Sequence, residues 1–387
     1  MTTRIKHWAD ANIRGDQVIW SIVISLAIMS VFVVYSATGA LAYRNMESTE
    51  HYLFKHVALI ALSLGAMWVA HKIDYRYYSK LSKLGLWLSI PLLLYAWKAG
   101  VNLNDASRWI TIPIINQIFQ PSDLAKLSLI AAMAAMLSKR QQNIGDFKEV
   151  VVPMVLWSGV ICGLIAMADL SSAILLFATA MLLMFIGRVP VKYLAMLVGV
   201  GVVAGAIAIS VGQRGNTAKS RLTSFLYDKE LPFQAEQARI AIASGGLVGK
   251  GPGKSDQRNF LPHPYSDFVY AIIIEEYGMI GGIAILLLYL ALLYRGMKTV
   301  ANSDRAFGGL LSAGLSFALV LQAMVNMGVV VGLGPITGLP LPFLSMGGTS
   351  LLFTGISLGI IISVSRGEVD SEWNAISGEV KNVMKAA

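Results

Sequence analysis

Apolar stretches near residues 17–41, 52–71, 81–98, 121–137, 150–168, 170–187, 191–211, 267–294, 306–331 and 346–365 dominate this sequence. About 20 apolar residues in a helix cross roughly 30 Å of hydrocarbon. In hydrocarbon, only helices and closed barrels satisfy their own backbone groups. The chain is therefore expected to be an all-α polytopic membrane protein of about ten transmembrane helices, with one large extracytoplasmic loop between spans seven and eight. Composition agrees: 56% of residues are hydrophobic and 14% charged, and the mean hydropathy of +0.63 lies outside the range of soluble domains. The first stretch is too long for a signal-peptide core and lacks a persuasive cleavage site, so it is expected to stay attached as the first span. The single cysteine, Cys162, excludes an intramolecular disulfide and a cysteine metal cage. It reads as a small buried apolar residue.

Orientation follows from the lysines and arginines. Arg4, Lys6 and Arg14 precede span one; Lys72, Arg76, Lys80 and Lys83 follow span two; Lys139, Arg140 and Lys148 follow span four. Arg188 and Lys192 follow span six, Arg295, Lys298 and Arg305 follow span eight, and Arg366, Lys381 and Lys385 follow span ten. Short positive connections stay in the cytoplasm, so both termini are expected there. Topology thus accounts for much of the formal charge of +9, which needs no nucleic acid. Residues 1–366 read as one membrane domain and 367–387 as a polar, mobile cytoplasmic tail.

The loop at 212–266 is basic: Arg214, Lys219, Arg221, Lys229, Arg239, Lys250, Lys254 and Arg258 face only Asp228, Glu230, Glu236 and Asp256. Long loops cross membranes regardless of charge. An anionic partner and attraction to anionic headgroups both remain open as explanations. A short helix is expected after Pro232, stopped by Gly245 and Gly246. The G-P-G-K-S run ending at Ser255 resembles the tail of a phosphate loop, but Val248 stands where the required glycine belongs and prolines follow instead of a helix. No nucleotide is expected. The glycines are read instead as tight turns whose amides could nest an anion such as a lipid-bound phosphate.

Asp267, Glu275 and Glu276 enter the eighth stretch. Insertion scales put a central charge at about 2.5–3.5 kcal/mol, so Glu275 and Glu276 must be paired, neutral or facing a wet cavity. Asp267 fits a helix cap or first-turn acid, and equally a general base at the mouth of a polar crevice. At 100° per residue it shares a side with Glu275, about 12 Å along the axis. Pro121 and Asp123 suit a helix start, while Lys126 lies one turn into an apolar span, either paired with Asp123 or facing substrate. Arg108 and Trp109 sit just outside the membrane, where a tryptophan is commonly an interfacial anchor. Asp169 reads as a cap. Residues 326–350 hold too much glycine and proline for a continuous helix and are read as a crevice wall.

Taken in order, R-W (108–109), Q-P-S-D-L-A-K (120–126), D-L-S-S (169–172), Q-A-R-I-A-I-A-S-G-G-L-V-G-K-G (237–251), F-L-P-H-P-Y-S-D-F-V-Y-A (260–271), E-E-Y-G (275–278) and G-L-P-L-P-F-L-S-M-G-G-T-S (338–350) resemble the SEDS family (shape, elongation, division and sporulation). The resemblance runs from the first span to about Arg366 and favours the FtsW branch over the RodA branch. It implies a peptidoglycan glycosyltransferase of the bacterial inner membrane that polymerises lipid II into β-1,4 glycan strands at the outer face and releases undecaprenyl pyrophosphate.

Asp267 matches the family's essential aspartate, implying a base or the ligand of a divalent cation, magnesium or manganese. Arg108, Lys126, Lys219 and Arg221 are candidates to stabilise the diphosphate. Trp109, Gln237, Ser244, Gly245, Gly246, Glu275, Pro340 and Ser345 are further candidate substrate contacts. Expected partners are lipid II, the growing glycan strand, a class B penicillin-binding transpeptidase and other divisome proteins. Departures from the family pattern occur at Tyr265-Ser266, Asp123, Tyr277 and Met346, and none removes the acid. A flippase for lipid-linked precursors and a non-catalytic divisome scaffold are the competing readings.

Overall fold

A computed structural model describes residues 14–39, 41, 46, 48–103, 106–112, 117–211, 215–227, 232–303 and 305–386. Arg4, Lys6, Arg214, Asp228, Lys229 and Glu230 lie outside the described residues.

Each apolar stretch falls on a helix: α1 (Gln17–Ala37), α2 (Thr49–Lys72), α3 (Tyr78–Ala99), α4 (Pro121–Lys139), α5 (Val152–Ala166, preceded by a π turn at Phe147–Val151), α6 (Leu170–Ile186), α7 (Val191–Val211), α10 (Val269–Asn302), α11 (Ala306–Val330) and α12 (Thr349–Ala386). Between α7 and α10 lie α8 (Gly215–Tyr227) and α9 (Phe233–Gly245). Among the described residues, six segments are long and apolar enough to cross a membrane, in α1, α2, Phe147–Ala166 (the π turn with α5), α10, α11 and the Thr349–Gly367 part of α12. Leu170–Ile186 and Val191–Ile207 are shorter apolar helices. The chain is a helical, multi-pass membrane protein. The polar tail continues α12 through Ala386.

Local chemistry sets several helix starts. Asp16 caps α1, its Oδ1 accepting from the amides of Val18 at 2.9 Å and Ile19 at 3.4 Å. Pro121 occupies the first turn of α4, where a missing N–H costs nothing. α4 and α11 are largely enclosed by other helices, α3 and α11 packing along α4, α2 along α12 and α10 along α11. Close approach needs small residues. A Cβ at Gly355 of α12 would lie 2.4 Å from the Ser63 carbonyl oxygen, and one at Gly359 2.4 Å from that of Met67.

Two features depart from the sequence reading. Residues between α3 and α4 form a small antiparallel sheet, β1 (Val101–Leu103), β2 (Ala106–Ile112) and β3 (Gln117–Phe119), in the order β1-β2-β3. Its signal was the alternating, β-branched R-W-I-T-I run of β2. The second is a break in α10, where Gly278 has φ 70° and ψ −174°. The chain after α9 fills the break: the amides of Lys250 and Gly251 donate to the carbonyls of Glu275 and Glu276, both at 2.9 Å, and Met279 N donates to Gly246 O at 2.9 Å. A Cβ at Gly278 would lie 2.2 Å from the Leu247 carbonyl oxygen, so backbone meets backbone only because no side chain intervenes.

Candidate active site

A cavity of about 540 Å³ opens at the end of the bundle where α4, α6 and α12 begin. Its wall takes Lys55 from α2, Arg108 and Trp109 from β2, Asp123 and Lys126 from α4, Asp169 and Ser172 from α6, and Gln322 from α11. His263, Tyr265, Ser266 and Asp267 enter from the approach to α10, and Gly338, Leu339 and Pro340 from the irregular segment after α11.

Asp267 stands two residues before the first turn of α10, and its Oδ1 accepts from Ser266 Oγ at 3.1 Å. Burial pushes its carboxyl above the ordinary carboxylate range; the Ser266 hydrogen bond and the charges of His263, Arg108 and Arg221 pull in the opposite direction. Its backbone is anchored from three sides. Asn326 Nδ2 donates to the carbonyl of Asp267 at 2.8 Å, Ser345 Oγ to that of Ser266 at 2.6 Å, and Met346 N to that of Tyr265 at 2.8 Å.

The segment bearing Ser345 is itself strung on side chains. Asn326 Nδ2 also donates to Leu339 O at 2.7 Å, Gln322 Nε2 to Pro340 O at 2.9 Å, Tyr289 Oη to Pro342 O, and Ser30 Oγ to Leu344 O at 2.9 Å. Four helical side chains thus replace the hydrogen bonds that a helix would have made. They also hold Phe343 at φ 66°, a backbone strain that persists only under such constraint.

The cations are fixed as well. Arg108 Nη1 meets Asp169 Oδ2 at 2.6 Å, and the guanidinium lies 4.3 Å from the centre of the Trp109 ring. Asp169 is the cap expected for α6, accepting from Ser172 N at 3.1 Å, and it accepts from Ser172 Oγ at 2.9 Å. Lys126 Nζ pairs with Asp123 Oδ1 at 3.2 Å while lining the cavity, so its structural and cavity-facing readings coexist. One carboxylate with a raised proton affinity therefore shares a cavity with pinned ammonium and guanidinium groups. That arrangement can take a proton at one point and hold an anion at another.

The pattern of the cell cycle protein family comprising FtsW, RodA and SpoVE matches residues 16–369. The chain belongs to this family. A probable peptidoglycan glycosyltransferase FtsW of Geobacter metallireducens is 34% identical over 360 residues, covering 91% of this chain and 95% of the relative. Stage V sporulation protein E of Bacillus subtilis is 31% identical over 356 residues, covering 89% and 96%. Among solved structures, the rod shape determining protein RodA of Thermus thermophilus superposes with a TM-score of 0.69 at 25% identity, covering 92% of this chain and 97% of that one. A chain from a structure described as the structural coordination of polymerization and crosslinking by a peptidoglycan synthase complex superposes with a TM-score of 0.72 at 24% identity, covering 92% and 98%.

Within this family member, the cavity brings together Asp267, Arg108, Trp109, Lys126 and Pro340 of the expected site. Ser345 stands behind the wall, and Arg221 reaches from α8 to donate to Ile336 O at 3.0 Å. Lys219 is exposed on α8. Gln237, Ser244, Gly245 and Gly246 belong to α9 and its end, outside the cavity wall. Glu275 is fully buried in a second cluster: its carboxylate accepts from Lys250 Nζ at 2.7 Å, Ser255 Oγ at 2.5 Å, Asp256 N at 3.1 Å, Gln257 N at 3.3 Å and Ser244 Oγ at 3.3 Å. The glycine-rich loop does not form the expected amide nest: its Lys250 and Gly251 amides bond the carbonyls of Glu275 and Glu276, and the amides on the Glu275 carboxylate are those of Asp256 and Gln257, just beyond it. Lys55, His263, Gln322 and Asn326 escaped the sequence reading. Lys55 carried the same signal as Lys126, a lysine one turn into an apolar stretch.

Among the described residues, no three histidine, cysteine or carboxylate side chains gather as a metal cage. A magnesium-like ion keeps several waters and binds through one or two carboxylates plus substrate phosphates, and Asp267, which lines the cavity, is the residue that would hold one.

Proposed function

We propose that this protein is a peptidoglycan glycosyltransferase that joins lipid II units into β-1,4 glycan during septal wall synthesis, with Asp267 as general base. The observation that carries the reading is the shared cavity of Asp267, Arg108 and Lys126. Burial raises the proton affinity of Asp267, which makes it a stronger base than an ordinary carboxylate. In a single inverting displacement, Asp267 removes the proton of the acceptor sugar hydroxyl, and that oxygen bonds to the donor's anomeric carbon. The bond from that carbon to the diphosphate oxygen breaks, the electron pair leaving with undecaprenyl pyrophosphate. Arg108 and Lys126 hold the growing negative charge in fixed positions, with no reorganisation at the moment of reaction. A divalent cation bound at Asp267 would supply further charge neutralisation to the leaving diphosphate.

The proposed topology has ten spans, cytoplasmic termini, and the cavity and the α8–α9 loop at the outer face. Lys72, Arg76, Arg295 and Arg366, at the bundle end opposite the cavity, support that orientation. The proposed partner is a class B penicillin-binding transpeptidase, a reading supported by the likeness to a chain of a peptidoglycan synthase complex.

Purified protein with its transpeptidase partner and fluorescent lipid II tests the proposal. Glycan polymer is expected from wild type and none from Asp267→Asn. Lipid translocation without polymer would instead establish the transporter reading, and neither activity the scaffold reading.

A further inference from the structure

His56 is fully buried in α2, with a ring nitrogen that has no partner among the described residues. An unsatisfied buried polar group opposes stability. An apolar residue would avoid that cost at a helix position facing other helices. The ring's other nitrogen, Nε2, lies 2.8 Å from Ser30 Oγ of α1.

The hydrogen count decides the direction of that bond. Ser30 has one hydroxyl hydrogen, and it goes to the carbonyl of Leu344 at 2.9 Å. Toward the ring, the hydroxyl oxygen can only accept, so Nε2 carries the hydrogen and Nδ1 is the atom left without a partner. His56 therefore fixes the rotor of Ser30 so that its hydrogen points at Leu344. The next residue, Ser345, accepts from Leu341 N at 2.8 Å and donates to the carbonyl of Ser266 at 2.6 Å. Ser266 Oγ in turn donates to the carboxylate of Asp267 at 3.1 Å. Between Pro342 and Ser345 the backbone is held at the positive φ of Phe343, a conformation that relaxes unless both flanks are tied. Ser30 is one of those ties.

We propose that His56 is a positioning residue for the glycosyl transfer, acting through Ser30, Leu344 and Ser345 to set the carboxylate of Asp267. The proposal rests on the base role given to Asp267 above. It requires the donor hydrogen of His56 and not the ring, which distinguishes it from a packing role.

The test compares His56→Leu, His56→Gln and Ser30→Ala in the full-length protein with its transpeptidase partner, using fluorescent lipid II. A displaced base lowers turnover and leaves substrate affinity alone, so kcat should fall about ten- to a hundredfold in His56→Leu with KM unchanged. Ser30→Ala should fall equally, and the double variant no further, because both sit on one path. Glutamine presents an N–H donor at similar reach, so His56→Gln should recover most of kcat. Full kcat in His56→Leu, or an equal loss in His56→Gln and His56→Leu, overturns the proposal, as does a loss confined to KM. Should His56→Leu not fold, Ser30→Ala, which removes only a hydroxyl, decides alone: wild-type kcat overturns the positioning role. Absence of polymer from wild type would defeat the glycosyltransferase reading itself, an outcome distinct from all of these.

Discussion

The Asn326 carboxamide nitrogen donates to the carbonyl of Asp267 at 2.8 Å and to the carbonyl of Leu339 at 2.7 Å, tying together the two chain segments that meet at the cavity. Neither carbonyl is satisfied by a helix, and Leu339 and Asn326 are both buried. Asn326→Ala should lower stability by about 1–3 kcal/mol through the unpaired carbonyls, and lower kcat by more than it raises KM. Thermal unfolding in detergent together with lipid II polymerisation measures both, and an active Asn326→Ala of wild-type stability would contradict the role.

Asp267→Asn should separate activity from stability. Burial makes the folded state bind the Asp267 proton more tightly than the unfolded chain does. Deprotonation therefore opposes folding as pH rises through the unfolded value of about 3.9, and the opposition persists at neutral pH. Asparagine removes that penalty, so Tm at pH 7 should stay the same or rise while polymer disappears.

The same shift sets a pH profile. A base must be ionised, so kcat/KM should fall as pH drops through a value above the ordinary carboxylate range of about 3.9. An acidic limb at or below that value would argue against Asp267 as the base.

Arg108 and Asp169 form a partly buried pair at 2.6 Å whose acid also caps α6. A double-mutant cycle on Arg108→Ala and Asp169→Ala should show a coupling of about 0.5–3 kcal/mol in stability. Arg108→Lys keeps the charge but loses the planar stack on Trp109, and should restore activity only in part.

Lys250→Ala should cost stability with little effect on KM for lipid II, because Lys250 serves the buried Glu275 away from the cavity. Hydrogen bonds to Glu275 and then Asp256 raise the proton affinity of Lys250. Its contribution is thus full below the ordinary lysine value of about 10.4 and fades as pH rises through the folded value. Lys250 reaches solvent, so the loss should be smaller than the about 3–5 kcal/mol of a fully enclosed pair. A raised KM without a change in Tm would place Lys250 at the substrate instead.

Local properties were legible in the sequence. The length of an apolar run decides whether it makes a long helix, and α1, α2 and α11 lie within a few residues of the expected stretches. Asp169 as a cap and Pro121 in a first turn were readable because a cap involves only its own turn. So was the acid at the head of α10 beside an irregular wall, since glycine and proline announce where regular backbone ends. The partners of those groups were not. Glu275 shares a helical face with Asp267 by period alone, yet it belongs to the Lys250 cluster, because Gly278 breaks the helix and admits the loop after α9. Arg108 with Asp169, Asn326 with Leu339 and Ser30 with Leu344 likewise join segments from separate elements. A side chain's chemistry and helical phase are carried by its own neighbourhood in the chain, whereas its burial and hydrogen-bond partner depend on which distant segment packs there.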